Sequence, residues 1–144
     1  MFHRLLALKL LCLPVSCLWR KSPITKAFGL SGAVLASWLH GFNFVRNIAA
    51  HHARLWNSAI AVPVTIPKTL SNLSRLDNRR PFLYFCLIQF IIKQSEKERL
   101  ALPPCNWGEK FKNLPAIFLH IANQAVTLSD MGCIADWGKW DLRQ

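Results

Sequence analysis

The stretch LASWLHGFNFVRNIAAHHARLWN, residues 35–57, decides the fold class. It contains no proline, and its apolar residues recur at steps of three and four, which is the periodicity of an amphipathic helix. Ser31 precedes this region and has the side chain of an N-cap residue. We therefore predict a long helix from about Ala33 to Asn57. Gly41 weakens it locally, so two helices in tandem are the alternative.

The sequence further along the chain predicts more helices. Residues 82–92, FLYFCLIQFII, are nearly all apolar, and the helix-forming KQSEKERL follows them. We expect one buried helix of about 20 residues there, with a strand as the alternative. Pro63 and Pro67 end regular structure and predict a linker over residues 60–80. Shorter helices are predicted at Trp107–Lys112 and Ala116–Thr127, before a Trp-rich tail. The class is all-α, a helical bundle.

The N-terminal residues 1–19, MFHRLLALKLLCLPVSCLW, begin like a signal peptide or a lipoprotein leader. Lys9 interrupts the apolar stretch, and no small-x-small cleavage site follows. The stretch is also shorter than the roughly 20 apolar residues that cross a bilayer. We therefore separate a leader-like or ill-fitting segment, residues 1–21, from one helical domain, residues 22–144. An export signal or a membrane anchor are the lesser alternatives.

The charge of the chain is large and unevenly distributed. There are 18 Lys and Arg against 7 Asp and Glu, and the first carboxylate is Asp77. Such a basic half-chain attracts polyanions, namely RNA, DNA or an anionic membrane surface, and a merely soluble basic surface is the alternative. Because 52% of the residues are hydrophobic, we also expect apolar surface that a partner chain covers.

The five cysteines are odd in number and widely spread, which favours buried free thiols over a disulfide framework. No Cys-x-x-Cys pair and no second histidine cluster accompanies His51-His52. The sequence therefore predicts no metal site and no cofactor.

The long helix predicted from about Ala33 to Asn57 gathers its polar groups on one face. At about 100° per residue, an arc of roughly 140° contains Asn43, Arg46, Asn47, Ala50, His51, Arg54, Asn57 and Ser58. The opposite, apolar side receives Phe42, Phe44, Val45, Ile48, Ala49, Leu55 and Trp56. The two histidines separate on this wheel. His51 is predicted to reach solvent, and His52 is predicted to be a buried, hydrogen-bonded core residue.

The polar face has the groups that phosphoryl chemistry needs. An imidazole such as that of His51 can take a proton from a ribose 2′-hydroxyl or give one to a leaving oxygen. The guanidinium of Arg46 can bind a phosphate and stabilise its transition-state charge. Asn47, one turn before His51, can orient the ring. A polar surface without catalytic function is the alternative reading of the same residues.

The same stretch resembles a known family. Trp-Leu at 38–39 and Arg-Asn-x-x-x-His-His-x-Arg-Leu-Trp-Asn at 46–57 resemble the signature of the Abi, or abortive infection, family of bacteriophage-resistance proteins. Trp107, Met131-Gly132, Trp137 and Trp140 are similar to that family's closing pattern, so the resemblance spans about residues 25–142. Family members are usually longer, and Ser58 stands where they carry an Arg. We therefore expect a truncated or fragmentary member.

The resemblance implies a function. The Abi family is related to the HEPN superfamily, helical domains that commonly form a metal-independent ribonuclease site at a dimer interface. The resemblance therefore implies a cytoplasmic homodimer that cleaves RNA with Arg46, Asn47 and His51 as catalytic residues. Arg54 and Asn43 would bind RNA, and the motif residues His52, Trp56 and Asn57 would be structural. The alternatives are an inactive RNA-binding remnant of the family and a small basic protein held at a membrane by residues 1–19.

Overall fold

The computed structural model describes residues 23–51, 54–98, 106–119 and 127–142. Over these ranges the chain forms helices and no strand, which confirms the all-α class. The α-helices are α1 (Pro23–Ala27), α2 (Gly32–Ala50), α3 (Pro81–Lys97), α4 (Trp107–Lys112) and α5 (Leu114–Leu119). Short 3-10 helices lie at Leu73–Arg75, Leu128–Met131 and Trp137–Lys139. None of the helices in the described part of the chain is long and apolar enough to cross a membrane.

Helix α2 begins as predicted and ends earlier than predicted. The Oγ of Ser31 accepts a hydrogen bond from the Val34 N–H at 3.3 Å, so the N-cap is confirmed. The helix continues through Gly41, which excludes two helices in tandem, and it ends at Ala50 rather than Asn57. Ten residues after the helix ends, Ile60 is only 1% exposed and its N–H donates to the Arg79 carbonyl at 2.8 Å. This long-range contact holds Ile60 in the core.

Gly41 is a point of close approach between α2 and the rest of the core. A Cβ atom there would lie 2.6 Å from Val64 Cγ1 and 2.7 Å from Tyr84 Cε1. One turn earlier, the fully buried indole of Trp38 meets the ring of Phe90 edge-on at 5.7 Å and donates from Nε1 to the Thr65 carbonyl at 2.8 Å. The glycine thus lets residues 64 and 65 and α3 pack directly onto α2.

Residues 60–80 are largely irregular, as the prolines predict, and four of them contribute to the core: Ile60, Val64, Leu73 and Leu76. The side-chain amide of Asn78 pairs with the backbone of Val64, accepting from its N–H at 2.9 Å and donating to its carbonyl at 2.6 Å. The Tyr84 hydroxyl donates to the Val62 carbonyl at 2.6 Å. These side chains satisfy backbone groups that have no helix or sheet partner.

Helix α3 is the single buried helix predicted from the apolar run, and the strand alternative is wrong. Pro81 occupies its first turn, where a missing N–H costs nothing. Phe82, Leu83 and Leu87 are fully buried. Cys86 is a buried free thiol, as predicted, and burial, with the nearby Cys133 as a second cause, raises the pKa of its thiol.

Cys133 is a half-buried free thiol, and burial raises its pKa to about 12. The other three cysteines, Cys12, Cys17 and Cys105, lie outside the described residues. Only the free-thiol predictions for Cys86 and Cys133 can therefore be compared with the structure.

The C-terminal residues close the core with aromatic rings. Phe82 of α3 meets Trp137 edge-on at 5.2 Å, and Phe111 of α4 lies 5.5 Å from the same indole. Helix α4 has the predicted bounds. The predicted helix at Ala116–Thr127 is wrong in its limits, since α5 starts at Leu114 and Thr127 has an extended backbone with φ −123° and ψ 158°.

Candidate functional site

The Arg-Asn-x-x-x-His-His-x-Arg-Leu-Trp-Asn signature at residues 46–57 is called the motif below. Three of its residues lie on the last turn of α2 and at the end of that helix. Arg46 and Asn47 are exposed on that turn, and His51 is the exposed C-cap residue directly after it. The Nη1 of Arg46 donates to Asn47 Oδ1 at 2.6 Å, and the His51 N–H donates to the Asn47 carbonyl at 3.1 Å. The structure therefore brings the guanidinium against the amide and places His51 one helical turn beyond that amide.

The polar and apolar faces of α2 agree with the helical wheel over most of the helix. Asn43 is exposed like Arg46 and Asn47, whereas Val45 on the opposite side is buried. Phe42, Phe44 and Ile48 are half-buried. Ala49 is an exception, because the helical wheel places it on the apolar face and it is exposed. The last turn of α2 extends past the core, so even its apolar side reaches solvent.

The wheel fails beyond residue 51, because the helix has ended. Arg54 is exposed on an irregular stretch, and its carbonyl accepts a hydrogen bond from the Ser58 hydroxyl. Leu55 and Trp56 are half-buried against the core. The prediction that Arg54, Asn57 and Ser58 continue the polar face of one helix is therefore wrong.

His52 lies outside the described residues, so its predicted burial stays a prediction. The placement of its ring on the apolar side assumed a helix that runs to Asn57. Helix α2 ends two residues before His52, at Ala50. Of the two histidine predictions, the structure therefore confirms the solvent exposure of His51.

The end of α2 is a basic site at a helix C-terminus. The last carbonyls of a helix carry partial negative charge, which favours cations and disfavours anions. The sequence has no carboxylate before Asp77, so Arg46 has no acidic neighbour on its own helix. A phosphate at this site must therefore be held by side chains such as Arg46 and Arg54, because the free N–H groups lie at the other end of α2.

One contact of the motif had no sequence signal. Asn57 is exposed, and its Oδ1 accepts a hydrogen bond from Arg80 Nη1 at 2.8 Å. Arg80 is the N-cap residue of α3, and its Nε lies 3.7 Å from Asp77 Oδ2. The end of the motif is thus attached to the start of α3. The separation of 23 residues between Asn57 and Arg80 explains why no local pattern indicates the pair.

A cleft of about 400 Å³ lies between α3 and α4, apart from the motif. It is lined by Gln89, Ile92, Lys93, Glu96, Gly108, Glu109 and Lys112. Gln89 is 3% exposed, and its Oε1 is one of two buried side-chain atoms in the described ranges with no hydrogen-bond partner; the other is Trp107 Nε1. No motif residue lines this cleft, so it is not part of the predicted site.

The described part of the chain contains no group of three His, Cys, Asp or Glu side chains that could hold a metal ion. The fold and the site define an all-α protein with a basic Arg-Asn pair and a histidine at the exposed end of its longest described helix.

One family model matches the segment of the chain that contains the motif. Residues 15–57 match the family model described as Abi-like protein, which confirms the resemblance to the Abi family over this segment. The match indicates the broad role that the resemblance implied, abortive infection as a defence against phage. It ends at Asn57, so the similarity of residues 58–142 to the family's closing pattern stays a prediction. No curated protein and no solved structure matches the chain.

Proposed function

We propose that this protein acts in abortive infection as a metal-independent endoribonuclease. The proposal rests on one arrangement: Arg46 and Asn47 are in contact at 2.6 Å on the exposed last turn of a helix, and the exposed His51 follows directly. In this proposal His51 is the general acid or base, Arg46 holds the phosphate, and Asn47 fixes the guanidinium or a substrate oxygen. The family match adds the biological setting.

The reaction would be an internal transfer at a phosphate of RNA. The 2′-oxygen forms a bond to the adjacent phosphorus while the bond from phosphorus to the 5′-oxygen breaks. One imidazole takes the proton of the 2′-hydroxyl, a second group gives a proton to the leaving 5′-oxygen, and the products are a 2′,3′-cyclic phosphate and a 5′-hydroxyl. Arg46 stabilises the negative charge that builds on the phosphate oxygens.

The two proton transfers that the reaction needs support a homodimer. A single set of Arg46, Asn47 and His51 offers one imidazole, whereas the reaction needs one group to accept a proton and another to donate one. Two α2 ends facing each other across a twofold axis would supply both. Mixing Arg46→Ala with His51→Ala protein should restore part of the cleavage if the two copies share a composite site. An active wild-type monomer in sedimentation would contradict the dimer.

The ribonuclease proposal is tested with a matched pair of histidine variants. His51→Ala should reduce cleavage of a labelled RNA by about 10²- to 10⁴-fold, the usual contribution of a general acid or base, in the presence of EDTA. His40→Ala is the control, since His40 is also exposed on α2 but lies three turns away. Equal cleavage by His51→Ala and wild type would refute the assignment.

Binding of the same labelled RNA, measured at several salt concentrations, separates an RNA-binding protein from a ribonuclease. Exposed cations such as Arg46, Arg54 and Arg79 also suit an inactive RNA-binding protein. Binding that falls steeply with added salt, without cleavage, would support that second function, because Lys and Arg contacts release counterions from RNA. A flat salt response would contradict both RNA functions.

A further inference from the structure

The motif continues for several residues after its helix has ended, so something other than α2 must hold its last part. The stretch 54–58 is irregular, and two of its hydrogen bonds are internal: the Ser58 N–H donates to the Leu55 carbonyl at 3.1 Å, and the Ser58 hydroxyl donates to the Arg54 carbonyl. The bond from Arg80 Nη1 to Asn57 Oδ1 connects this stretch to the start of α3. Arg54 is thus linked through Ser58 and Asn57 to Arg80.

Arg80 is itself held in place from two sides. Its Nε faces Asp77 Oδ2 at 3.7 Å. On the other side, Gly132 packs so closely that a Cβ atom there would lie 2.5 Å from Arg80 Cβ and 2.9 Å from Arg80 Cγ. Gly132 also has φ +90°, a backbone conformation that glycine adopts without strain. The C-terminal turn therefore supports the stem of Arg80, and its guanidinium points to the motif.

We propose that Arg80 is a positioning residue that, through Asn57, fixes Arg54 for contact with an RNA phosphate. The inference rests on the proposed RNA-directed function. Arg80 does not act as a phosphate ligand itself, since Nη1 is engaged by Asn57 and two carboxylates, those of Asp77 and Asp130, lie near its charge. Arg54 is exposed on the stretch that Arg80 holds, and its side chain is the cation that would reach RNA.

The test compares Arg80→Ala, Arg54→Ala and the double variant on binding and cleavage of an oligoribonucleotide. Each single variant should raise KM or Kd by about tenfold with kcat unchanged, and the double variant should be no worse than Arg54→Ala. The slope of log affinity against log salt should fall by about 0.7 in all three, the loss of one phosphate contact on single-stranded RNA. Loss of folded protein alone would lower apparent kcat and leave KM unchanged.

Two further variants act as controls. Arg75→Ala removes another partly exposed arginine that is paired with the C-terminal segment, through Asp136 at 2.7 Å, and it does not touch the motif, so it should leave Kd unchanged. Asn57→Gln keeps a neutral amide acceptor for Arg80 and should bind RNA more tightly than Asn57→Ala, which should reproduce Arg80→Ala while leaving Arg80 in place. Additive losses in the double variant, or a slope lowered by two contacts, would overturn the positioning role.

Hydrogen exchange at the Ser58 amide keeps this inference separate from the ribonuclease proposal. Arg80→Ala and Asn57→Ala should speed exchange of that amide, and Arg75→Ala should not. If wild type binds RNA without cleaving it, the ribonuclease proposal fails while the affinities and salt slopes still test Arg80. If Ser58 exchanges equally fast in wild type and Arg80→Ala, Arg80 does not position this stretch, whatever the protein does to RNA.

Discussion

In the first half of α2, Leu35, Trp38 and Gly41 are buried, whereas Arg46, Asn47 and Ala50 at its other end are exposed. The buried half is fixed by its indole hydrogen bond and by the close approach of Val64 and Tyr84. The exposed end extends past the core and carries the motif. One continuous helix thus separates stability from the candidate chemistry, and substitutions at the two ends should have different effects.

The largest expected effect on stability is at the buried end. Trp38→Ala should lower the free energy of unfolding by about 3–5 kcal/mol, because it removes a fully buried ring and leaves the Thr65 carbonyl without its donor. His51→Ala, at the exposed end, should change it by less than about 0.5 kcal/mol. Urea unfolding of both variants measures this. Similar losses in the two variants would show that the end of α2 is part of the stable core.

A pair of glycine variants sharpens the comparison. Gly41→Ala should cost about 1–3 kcal/mol, because its Cβ would overlap Val64 Cγ1 at 2.6 Å and the ring of Tyr84. Gly108→Ala in α4 is the control, with its nearest neighbour at 3.9 Å from the added Cβ, and it should stabilise the protein by up to about 1 kcal/mol through helix propensity. In thermal unfolding, Gly41→Ala should lower Tm and Gly108→Ala should raise it. A neutral Gly41→Ala would mean that α2 and α3 can separate at little cost.

These contacts also show which parts of the fold the sequence could predict. The N-cap Ser31, the buried helix over the apolar run and the bounds of α4 follow from local patterns of capping, periodicity and propensity. The end of α2 does not, because no Gly or Pro between Ala50 and Asn57 signals a stop. Beyond that end Ile60 is buried, and its N–H donates to the carbonyl of Arg79, 19 positions further on. Tertiary packing overrides helix propensity at that point.

The site divides in the same way. Adjacent positions on a helical turn predict that Arg46, Asn47 and Asn43 share an exposed face, and they do. The pairing of Asn57 with Arg80 needs the chain to fold back on itself, and a short-range pattern cannot encode it. The support of Arg80 by Gly132 depends on an even longer return of the chain.

A smaller effect is expected inside α3, at a position that the candidate site does not use. Gln89→Met should leave stability unchanged or raise it by about 1 kcal/mol, because it replaces a buried amide whose Oε1 has no partner among the described residues with an apolar side chain of similar shape. The Tm of the variant measures this. A loss of about 1–3 kcal/mol would indicate that the amide has a hydrogen-bond partner in the folded protein, such as water in the α3–α4 cleft.

The smallest effect concerns the C-terminal turn that supports Arg80, far from the buried half of α2 in sequence. The carboxylate of Asp130 accepts hydrogen bonds from the hydroxyl of Thr127 at 2.7 Å and from its N–H at 2.9 Å. These bonds, the hydroxyl first, lower the pKa of Asp130 below its ordinary value of 3.8, and the charge of Arg80 adds to them. Since the folded pKa is the lower one, the stabilisation is fully present above about pH 4 and is lost as the pH falls through the folded value.

Wild type should therefore lose more stability between pH 5 and pH 2 than Asp130→Asn, as measured by urea unfolding at each pH. Thr127→Ala should reduce the same acid dependence while leaving the carboxylate in place, and Thr127→Ser should keep it. If Asp130→Asn and wild type follow the same pH profile, ionisation of Asp130 adds nothing to stability, and the support of Arg80 comes from Asp77 and from the packing of Gly132.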